Sequence, residues 1–282
     1  IVEMKAHING LTSRIDDGWY PAPGDVADEL LFYFDFDSDV GGEVELSAMP
    51  DNALQTYFND IDSGKNLVGK IAGNDSATDH KDWSTEFTGW PEDGVTTPES
   101  LVRHWIDQID EAAMARSEGE APTDSVFLSV DGVDRQQLLQ KFLTGAITFS
   151  QGADDYLDDD VEGKGLLSDN TEAAGEGKPY SDLEHAWDEG FGYFGANQSF
   201  GLMTPAEIKA EGEQDINGDD MLDLTSEVVF GASMNAAKRD LGSISQTAFV
   251  ADAWDGFREG RALINSTAGA LNESQLEELQ SH

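Results

Sequence analysis

Acidic side chains limit what this sequence can fold into more than any other feature. Aspartate and glutamate number 57 and lysine and arginine only 16, which gives a formal net charge of −41. Self-repulsion of this size opposes compaction, and dissolved salt or bound cations would screen it, so we predict a saline environment. The scarcity of basic residues excludes nucleic acid as a partner and disfavours adhesion to anionic membranes.

The apolar content sets the remaining limits. Hydrophobic residues make up 39 % and aromatic residues 9 % of 282, which is enough to build cores and argues against wholesale disorder. The absence of cysteine excludes disulfides, thiolate zinc sites and cysteine nucleophiles. No apolar run approaches the ~18–20 residues of a membrane span, so we predict no direct span. The chain opens Ile1-Val2-Glu3, which is not a translation start, and we expect a processed protein or a fragment.

Apolar residues recur at helical spacing in several segments. The first, residues 97–116, has Thr97 as the expected N-cap and Pro98 as the first helical residue. Others cover 134–150, a helix starting at Ser181 with Glu184 completing a capping box, about 245–264, and the start of a helix at 271–281. The faces expected to be buried are Leu101, Trp105, Ile109 and Ala113 in the first segment, Leu138, Leu139, Phe142, Leu143, Ala146 and Ile147 in the second, and Ala248, Ala251, Phe257 and Leu263 in the segment 245–264.

Long loops rich in Gly, Asp, Ser and Asn separate these segments. Only residues 125–130 have the pattern of a strand, with Asp131-Gly132 as the turn of one short β-hairpin. The sequence therefore predicts a mainly α fold with long acidic loops. We divide it into an N-terminal helical half, residues 1–125, and a C-terminal helical half, residues 126–282, with one compact domain as the alternative.

The most informative motif lies at residues 182–195. On the predicted helix, His185, Asp188 and Glu189 stand at i, i+3 and i+4 and therefore share one face. An imidazole and two carboxylates so placed suit a borderline metal such as iron or zinc, or a general acid–base pair. The alternative is a surface histidine paired with an acidic neighbour. The glycines at 190, 192 and 195 either admit a neighbouring helix or break this helix after Glu189.

An acidic loop at residues 215–223 has the spacing of an EF-hand calcium loop. Side-chain oxygens stand at loop positions 1, 3, 5 and 9, a carbonyl serves position 7 and an apolar residue fills position 8. These are Asp215, Asn217, Asp219 and Asp223, the carbonyl of Met221, and Leu222. The loop departs from the pattern at position 6, where Asp220 replaces glycine, and at position 12, which is Ser226 with Glu227 one residue later. Calcium binding and an unoccupied solvated loop are both open interpretations.

Two other acidic segments follow the calcium pattern less closely. Asp35, Asp37 and Asp39 alternate and are followed by Glu43 and Glu45, which makes 35–45 a weaker calcium candidate. The acidic run from Asp154 to Glu162 is more typical of a solvated segment.

The run from His185 to Gly195, His-Ala-Trp-Asp-Glu-Gly-Phe-Gly-Tyr-Phe-Gly, resembles the signature of an uncharacterised branch of the imelysin-like proteins. Segments 137–146, 235–240 and 257–262 add to the resemblance. Those proteins are bacterial lipoproteins and periplasmic proteins linked to iron uptake, and some are labelled metallopeptidases. The resemblance implies two pseudo-symmetric helical bundles with a site between them. In the imelysin motif Gly-x-His-x-x-Glu, His185 matches the His, Asp188 takes the Glu position and Leu183 replaces the Gly.

The residues and the resemblance together favour a non-enzymatic, exported metal-binding protein. We expect it in the periplasm or at the cell surface, with a lipid anchor before processing as one route, and with iron acquisition as its role. His185, Asp188 and Glu189 would bind iron or zinc, completed by Glu111 or His104, and the 215–223 loop would hold structural calcium. Metal ions and an outer-membrane or surface protein are the expected partners. The alternatives are a metal-dependent peptidase with Glu189 as general base, and a non-catalytic interaction scaffold.

Overall fold

Helices form most of the ordered structure in the computed structural model, which describes residues 1–36, 43–61, 64–74, 83–90, 94–210, 214–267 and 269–282. The predicted mainly α fold is confirmed. The described residues group into two units, one of 1–49 with 55–147 and one of 50–54 with 148–282. The boundary predicted at 125/126 falls inside the first unit. None of the helices within these ranges has the length and apolar character that a bilayer span requires.

The first unit is built around a long central helix. Its helices are α1 (Val2–Asp16), α2 (Asp25–Phe34), α3 (Leu67–Lys70), α4 (Trp83–Glu86), α5 (Pro98–Ser117) and α6 (Arg135–Leu143). The start of α5 matches the prediction, because the Thr97 hydroxyl accepts from the Ser100 N–H and Ser100 caps back in return. The predicted α5 stripe, from Leu101 to Ala113, lies in the core with α1, α2 and α6 around it.

The predicted helix 134–150 changes its winding part-way. An α-helix ends at Leu143, and residues Thr144–Phe149 and Gly152–Tyr156 form two π-helical turns. Leu139, Leu143 and Ile147 of the predicted stripe are buried in the core of the first unit. A π turn adds a residue per turn, which rotates the following side chains away from the α-helical stripe.

The predicted strand at 125–130 is not formed, and the described residues contain isolated β-bridges only. Leu128 pairs with Asp134 across a turn in which Gly132 has a positive φ of 80°. The turn itself was predicted correctly. In the weaker acidic segment, Asp37 and Asp39 lie outside the described residues.

The second unit contains the helices that carry the motif. These are α7 (Asp182–Phe194), α8 (Pro205–Ala210), α9 (Gly231–Gly242), α10 (Phe249–Ser266) and α11 (Glu273–Ser281). The Ser181–Glu184 capping box is present as predicted, and the predicted terminal helix begins at its own capping box, Asn272 with Gln275. Helix α7 runs through Gly190 and Gly192 and ends at Gly195, which is left-handed with φ 86°. Of the two alternatives for these glycines, a break after Glu189 does not occur.

Helix α10 buries a different face from the predicted one. Ala248 and Ala251 are exposed, and Phe257 and Leu263 are only partly buried. Its buried residues are Val250, Gly256, Gly260 and Ile264. Gly256 and Gly260 are in close contact with groups from other parts of the second unit, which leave no room for a side chain at either position. A Cβ at Gly260 would be 2.1 Å from the Trp187 ring, and one at Gly256 would be 2.4 Å from the His282 carbonyl oxygen.

Candidate functional site

The first turn of α7 is fixed by a buried carboxylate. The Ser181 N–H donates to Glu184 Oε2 at 2.9 Å, and Arg261 Nη1 donates to Glu184 Oε1 at 2.5 Å. Burial opposes ionisation of Glu184, but the Ser181 N–H and the Arg261 guanidinium outweigh it and hold the pKa of Glu184 below its ordinary value. Glu184 therefore stays ionised, and its hydrogen bonds hold the first turn of α7, the helix that carries the motif, in place.

His185 and Glu189 lie one turn apart at the edge of an open cleft. His185 Nε2 is 3.4 Å from Glu189 Oε1, and their side chains are 51 % and 37 % exposed. The imidazole stacks on Tyr180, with ring centroids 5.3 Å apart. The cleft has a volume of about 480 Å³ and is also lined by Thr148, Tyr193 and Phe230. An imidazole oriented by a carboxylate in such a cleft can bind a metal or accept a proton.

A tyrosine that the sequence analysis missed lies behind this pair. Tyr156 stacks on Tyr193 with centroids 5.6 Å apart. Burial and the Glu189 carboxylate, with which it shares a hydrogen bond, raise the pKa of Tyr156 far above its ordinary value. Tyr156 is therefore a neutral hydroxyl donor at working pH. Tyr156 lies inside the acidic run 154–162, whose composition is typical of a solvated segment, so the sequence gives no signal that marks it.

Asp188 has a different partner from the one predicted. Its Oδ1 accepts from Arg261 Nε at 2.9 Å, so the same guanidinium holds both Glu184 and Asp188 and joins α7 to α10. All three predicted residues line the His185 cleft, where His185 and Glu189 approach each other and Asp188 is also engaged with α10. Within the described ranges, no group of three or more His, Asp or Glu side chains is placed to hold a metal ion. His104 and Glu111, the predicted further ligands, belong to α5 in the first unit.

The acidic loop 215–223 has a dense pattern of backbone hydrogen bonds. The Asp215 carboxylate accepts N–H bonds from Gly218, Asp219 and Asp220, at 2.6, 3.2 and 2.9 Å. These donors, the Asp220 N–H first, hold the pKa of Asp215 below its ordinary value. Asp220, at the position where EF-hand loops have glycine, adopts φ 66°. The sharp turn predicted to need glycine is therefore made by an aspartate, a residue that tolerates this region better than most.

Buried contacts hold both ends of this loop. Leu222, at position 8, is buried and forms a parallel bridge with Ala53, with Leu54 N–H donating to Leu222 O at 2.8 Å. Glu227 is only 3 % exposed, and its carboxylate accepts from the N–H groups of Ile216, Asn217 and Asp223. Glu227 thus closes the loop as a hydrogen-bond acceptor, one residue beyond the position at which EF-hand loops have a glutamate ligand.

The remaining predicted ligands lie along the same loop. Asn217 Oδ1 accepts from the Asp219 N–H, and Asp219 Oδ1 from the Met221 N–H, both at 2.9 Å. Asp223 accepts from Thr225 and from the Ser226 hydroxyl. All five predicted residues are therefore in one loop, although their carboxylates do not converge as a metal-binding group.

A protein family matches residues 46–210, more than half of the chain, and its description is "Domain of unknown function (DUF4856)". The chain belongs to this family. The DUF4856 region includes all of α7 and the residues of the His185 cleft up to Tyr193, and it ends before the loop 215–223. No curated protein and no solved structure matches the chain.

Proposed function

We propose that this protein is an exported, imelysin-like metal-binding protein in which the loop 215–223 holds a calcium ion. The observation that carries the proposal is the backbone arrangement of this loop. The Asp215 carboxylate accepts hydrogen bonds from three backbone N–H groups, Asp220 adopts a left-handed conformation, and Leu222 forms a β-bridge with Ala53. A left-handed turn at position 6 and a buried, bridged residue at position 8 are features of an EF-hand loop, and they support the proposal.

The donor set suits a hard cation. Asp215, Asn217, Asp219 and the Met221 carbonyl would supply oxygens, and Asp223 would contribute directly or through water. Asp215 Oδ1 accepts two N–H bonds, but Asp215 Oδ2, Asn217 Oδ1 and Asp219 Oδ1 accept one each and keep a second lone pair for a cation. The Glu227 carboxylate accepts hydrogen bonds from three N–H groups, so we do not count it among the ligands of the cation.

Binding would draw together carboxylates that are separated in the structure. This closure costs free energy, and with fewer ligands than a full EF-hand the affinity should fall in the range of extracellular modules, ~10⁻⁴–10⁻³ M. Such an affinity is useful only where calcium is abundant, which agrees with the proposed exported location. The cation would also relieve repulsion among four aspartates in nine residues, at positions 215, 219, 220 and 223.

Calorimetric titration with calcium tests the proposal directly. Wild type should take up one calcium ion per chain, and Asp219→Asn should weaken the affinity at least tenfold. Asp169→Asn is the matched control, because Asp169 is an exposed aspartate that makes the same kind of local bonds, to Thr171, outside the loop. Equal calcium uptake by wild type and Asp219→Asn would refute the assignment.

A second candidate function, iron or zinc binding at the His185 cleft, is favoured by the 3.4 Å approach of His185 to Glu189. These two donors would leave coordination positions open toward the 480 Å³ cleft, where a carried ligand or water could complete them. Iron acquisition would use those open positions. A peptidase would need a general base besides its ligands, and Glu189 cannot fill both roles at once.

Element analysis of the purified protein tests this second candidate. About one iron or zinc per chain should be lost in His185→Ala and kept in His7→Ala, a matched variant because His7 also pairs with a carboxylate, Glu29, at 2.9 Å. If the metal content is the same in His185→Ala and wild type, the cleft does not bind the metal. The scaffold interpretation would then remain, with Asp188 and Arg261 joining two helices.

A further inference from the structure

A second cleft lies between α7 and α10 and differs in chemistry from the His185 cleft. Its volume is about 230 Å³, less than the ~300–1,000 Å³ typical of drug-sized ligands, which limits an occupant to about one ring. Helix α7 contributes Phe191, and α10 contributes Trp254, Phe257, Arg258 and Arg261. We call it the Trp254 cleft.

Aromatic rings form the apolar part of the Trp254 cleft. Phe191 is packed with Trp254 and with Phe257, with centroid distances of 6.2 and 5.2 Å. These three rings are only partly buried, so they keep accessible surface. Trp187 beneath them is buried, and its indole N–H donates to the Phe257 carbonyl at 2.8 Å. Gly201 fixes Trp254 from the other side, because a Cβ there would lie 2.2 Å from the indole nitrogen.

Two arginines form the polar part, and three carboxylates already pair with them. Arg261 donates through Nε to Asp188 and through Nη1 to Glu184, and Arg258 donates through Nη2 to Asp255 at 3.0 Å. The Nη2 of Arg261 and the Nε and Nη1 of Arg258 make no hydrogen bond to any residue that the structure describes. The cleft therefore offers unused N–H donors without an uncompensated positive charge.

This combination selects a class of ligand. Ring faces attract a ligand with an apolar C–H face, and unused N–H groups require oxygen acceptors on its rim. An anion would gain little from guanidinium groups that already have carboxylate partners, and it would be repelled by a chain of net charge −41. A cation would be attracted by the aromatic faces, but it offers no lone pairs to the unused guanidinium N–H groups. A flat aromatic molecule without oxygens would leave the donors unpaired.

We propose that the Trp254 cleft binds one neutral sugar ring, which stacks on Trp254 and Phe191 and accepts hydrogen bonds from Arg258 and Arg261. Asp188, whose Oδ1 is held by Arg261, supplies the acceptor for a sugar hydroxyl. The ring is either a free hexose or one unit of a glycan, which share this recognition chemistry. The inference does not depend on calcium or on the His185 cleft.

Ligand-observed NMR and calorimetry with the methyl glycosides of glucose, galactose and mannose test the proposal on the full chain. At least one should bind saturably, and Trp254→Ala and Arg258→Gln should each weaken binding about three- to tenfold, the loss of one aromatic contact or hydrogen bond. Arg258 has a 62 % exposed side chain, so Arg258→Gln should fold even if Trp254→Ala does not. Trp19→Ala is the matched control, because Trp19 lies under Arg14 at 3.5 Å in the first unit.

Three results would overturn the proposal: no saturable binding of any of the three glycosides, unchanged affinity in Arg258→Gln, or tighter binding of glucuronate or benzoate than of the neutral sugars. The two sources of the ring are distinguished by a linear trisaccharide of the glycoside that binds. Tighter binding of the trisaccharide identifies a glycan as the ligand, and equal binding identifies a single free or terminal ring.

Discussion

Replacing Gly260 with alanine tests the packing that joins α7 to α10 and so forms the Trp254 cleft. Gly260 lies in the interior of α10, where its φ is helical, so local propensity favours alanine by about 1 kcal/mol. The tertiary contact opposes it, because the new Cβ would lie 2.1, 2.6 and 2.8 Å from three carbons of the Trp187 indole. Trp187 is 4 % exposed and cannot turn toward solvent without leaving the core.

The magnitude follows from the two terms. Overpacking a buried site costs about 1–3 kcal/mol, and displacing the indole would also weaken its hydrogen bond to the Phe257 carbonyl, worth about 0.5–1.5 kcal/mol. Subtracting the helix term of about 1 kcal/mol leaves a net destabilisation of about 0.5–3.5 kcal/mol. The matched control is Gly192→Ala in α7, where no described atom other than the neighbouring residues and the helix's own backbone lies within 4 Å of the new Cβ, and it should stabilise by up to about 1 kcal/mol.

Urea unfolding followed by circular dichroism and tryptophan fluorescence measures both variants. Gly260→Ala should lower the midpoint and Gly192→Ala should leave it unchanged or raise it, with slopes that match wild type. If Gly260→Ala is as stable as Gly192→Ala, then Trp187 does not pack on α10 in the way described, and the aromatic wall of the Trp254 cleft is not formed by this contact.

Three further predictions concern electrostatics. Asp110→Ala should cost about 2–4 kcal/mol in unfolding experiments, because the buried carboxylate accepts three N–H groups at the start of α2, and Asp110→Asn should cost less. Folding lowers the pKa of Glu184 from its ordinary value of 4.5. The ionised carboxylate therefore contributes its full stabilisation above about pH 4.5, and this contribution is lost as the pH falls through the lowered pKa. Glu184→Gln should therefore flatten the acid limb of a stability–pH curve, and an unchanged limb would contradict the assignment. Transfer to low salt should lower the unfolding midpoint of the whole protein, which a thermal scan across ionic strengths would measure, and a midpoint independent of salt would contradict the charge argument.

Features set by neighbouring residues in sequence were predictable. The Thr97 and Ser181 caps depend on side chains three residues away, and the His185–Glu189 approach depends on one helical turn, so spacing alone predicted them. The turn at 215–220 is local in the same way, because Asp215 accepts its N–H bonds from residues at most five positions away, while calcium binding there stays a prediction. Asp220 makes the turn at the position where the EF-hand pattern has glycine.

Features set by distant partners were not predictable from one sequence. Helical spacing placed Asp188 beside His185, but Arg261, 73 residues away in sequence, is its actual partner. The buried face of α10 was predicted from hydrophobicity, whereas Gly256 and Gly260 are buried because bulky groups pack on them and alanines nearby stay exposed. Periodicity cannot identify a glycine as a core position, since its role there is the space it leaves for another side chain.

The distribution of compensated charge explains where a cation should matter in the second unit. On α7 and α10, Arg261 forms ion pairs with Glu184 and Asp188, and Arg258 forms one with Asp255. Two of the chain's 16 basic residues therefore compensate three carboxylates at this contact. The loop 215–223 has four aspartates and no basic residue. Helix packing at the α7–α10 contact therefore needs no bound cation, whereas we expect the loop 215–223 to be stabilised by one. If the loop holds calcium as proposed, calcium removal should increase amide hydrogen exchange in residues 215–227 and leave that of α7 and α10 unchanged, because the ion would offset the repulsion among the four aspartates that the loop's own hydrogen bonds leave in place.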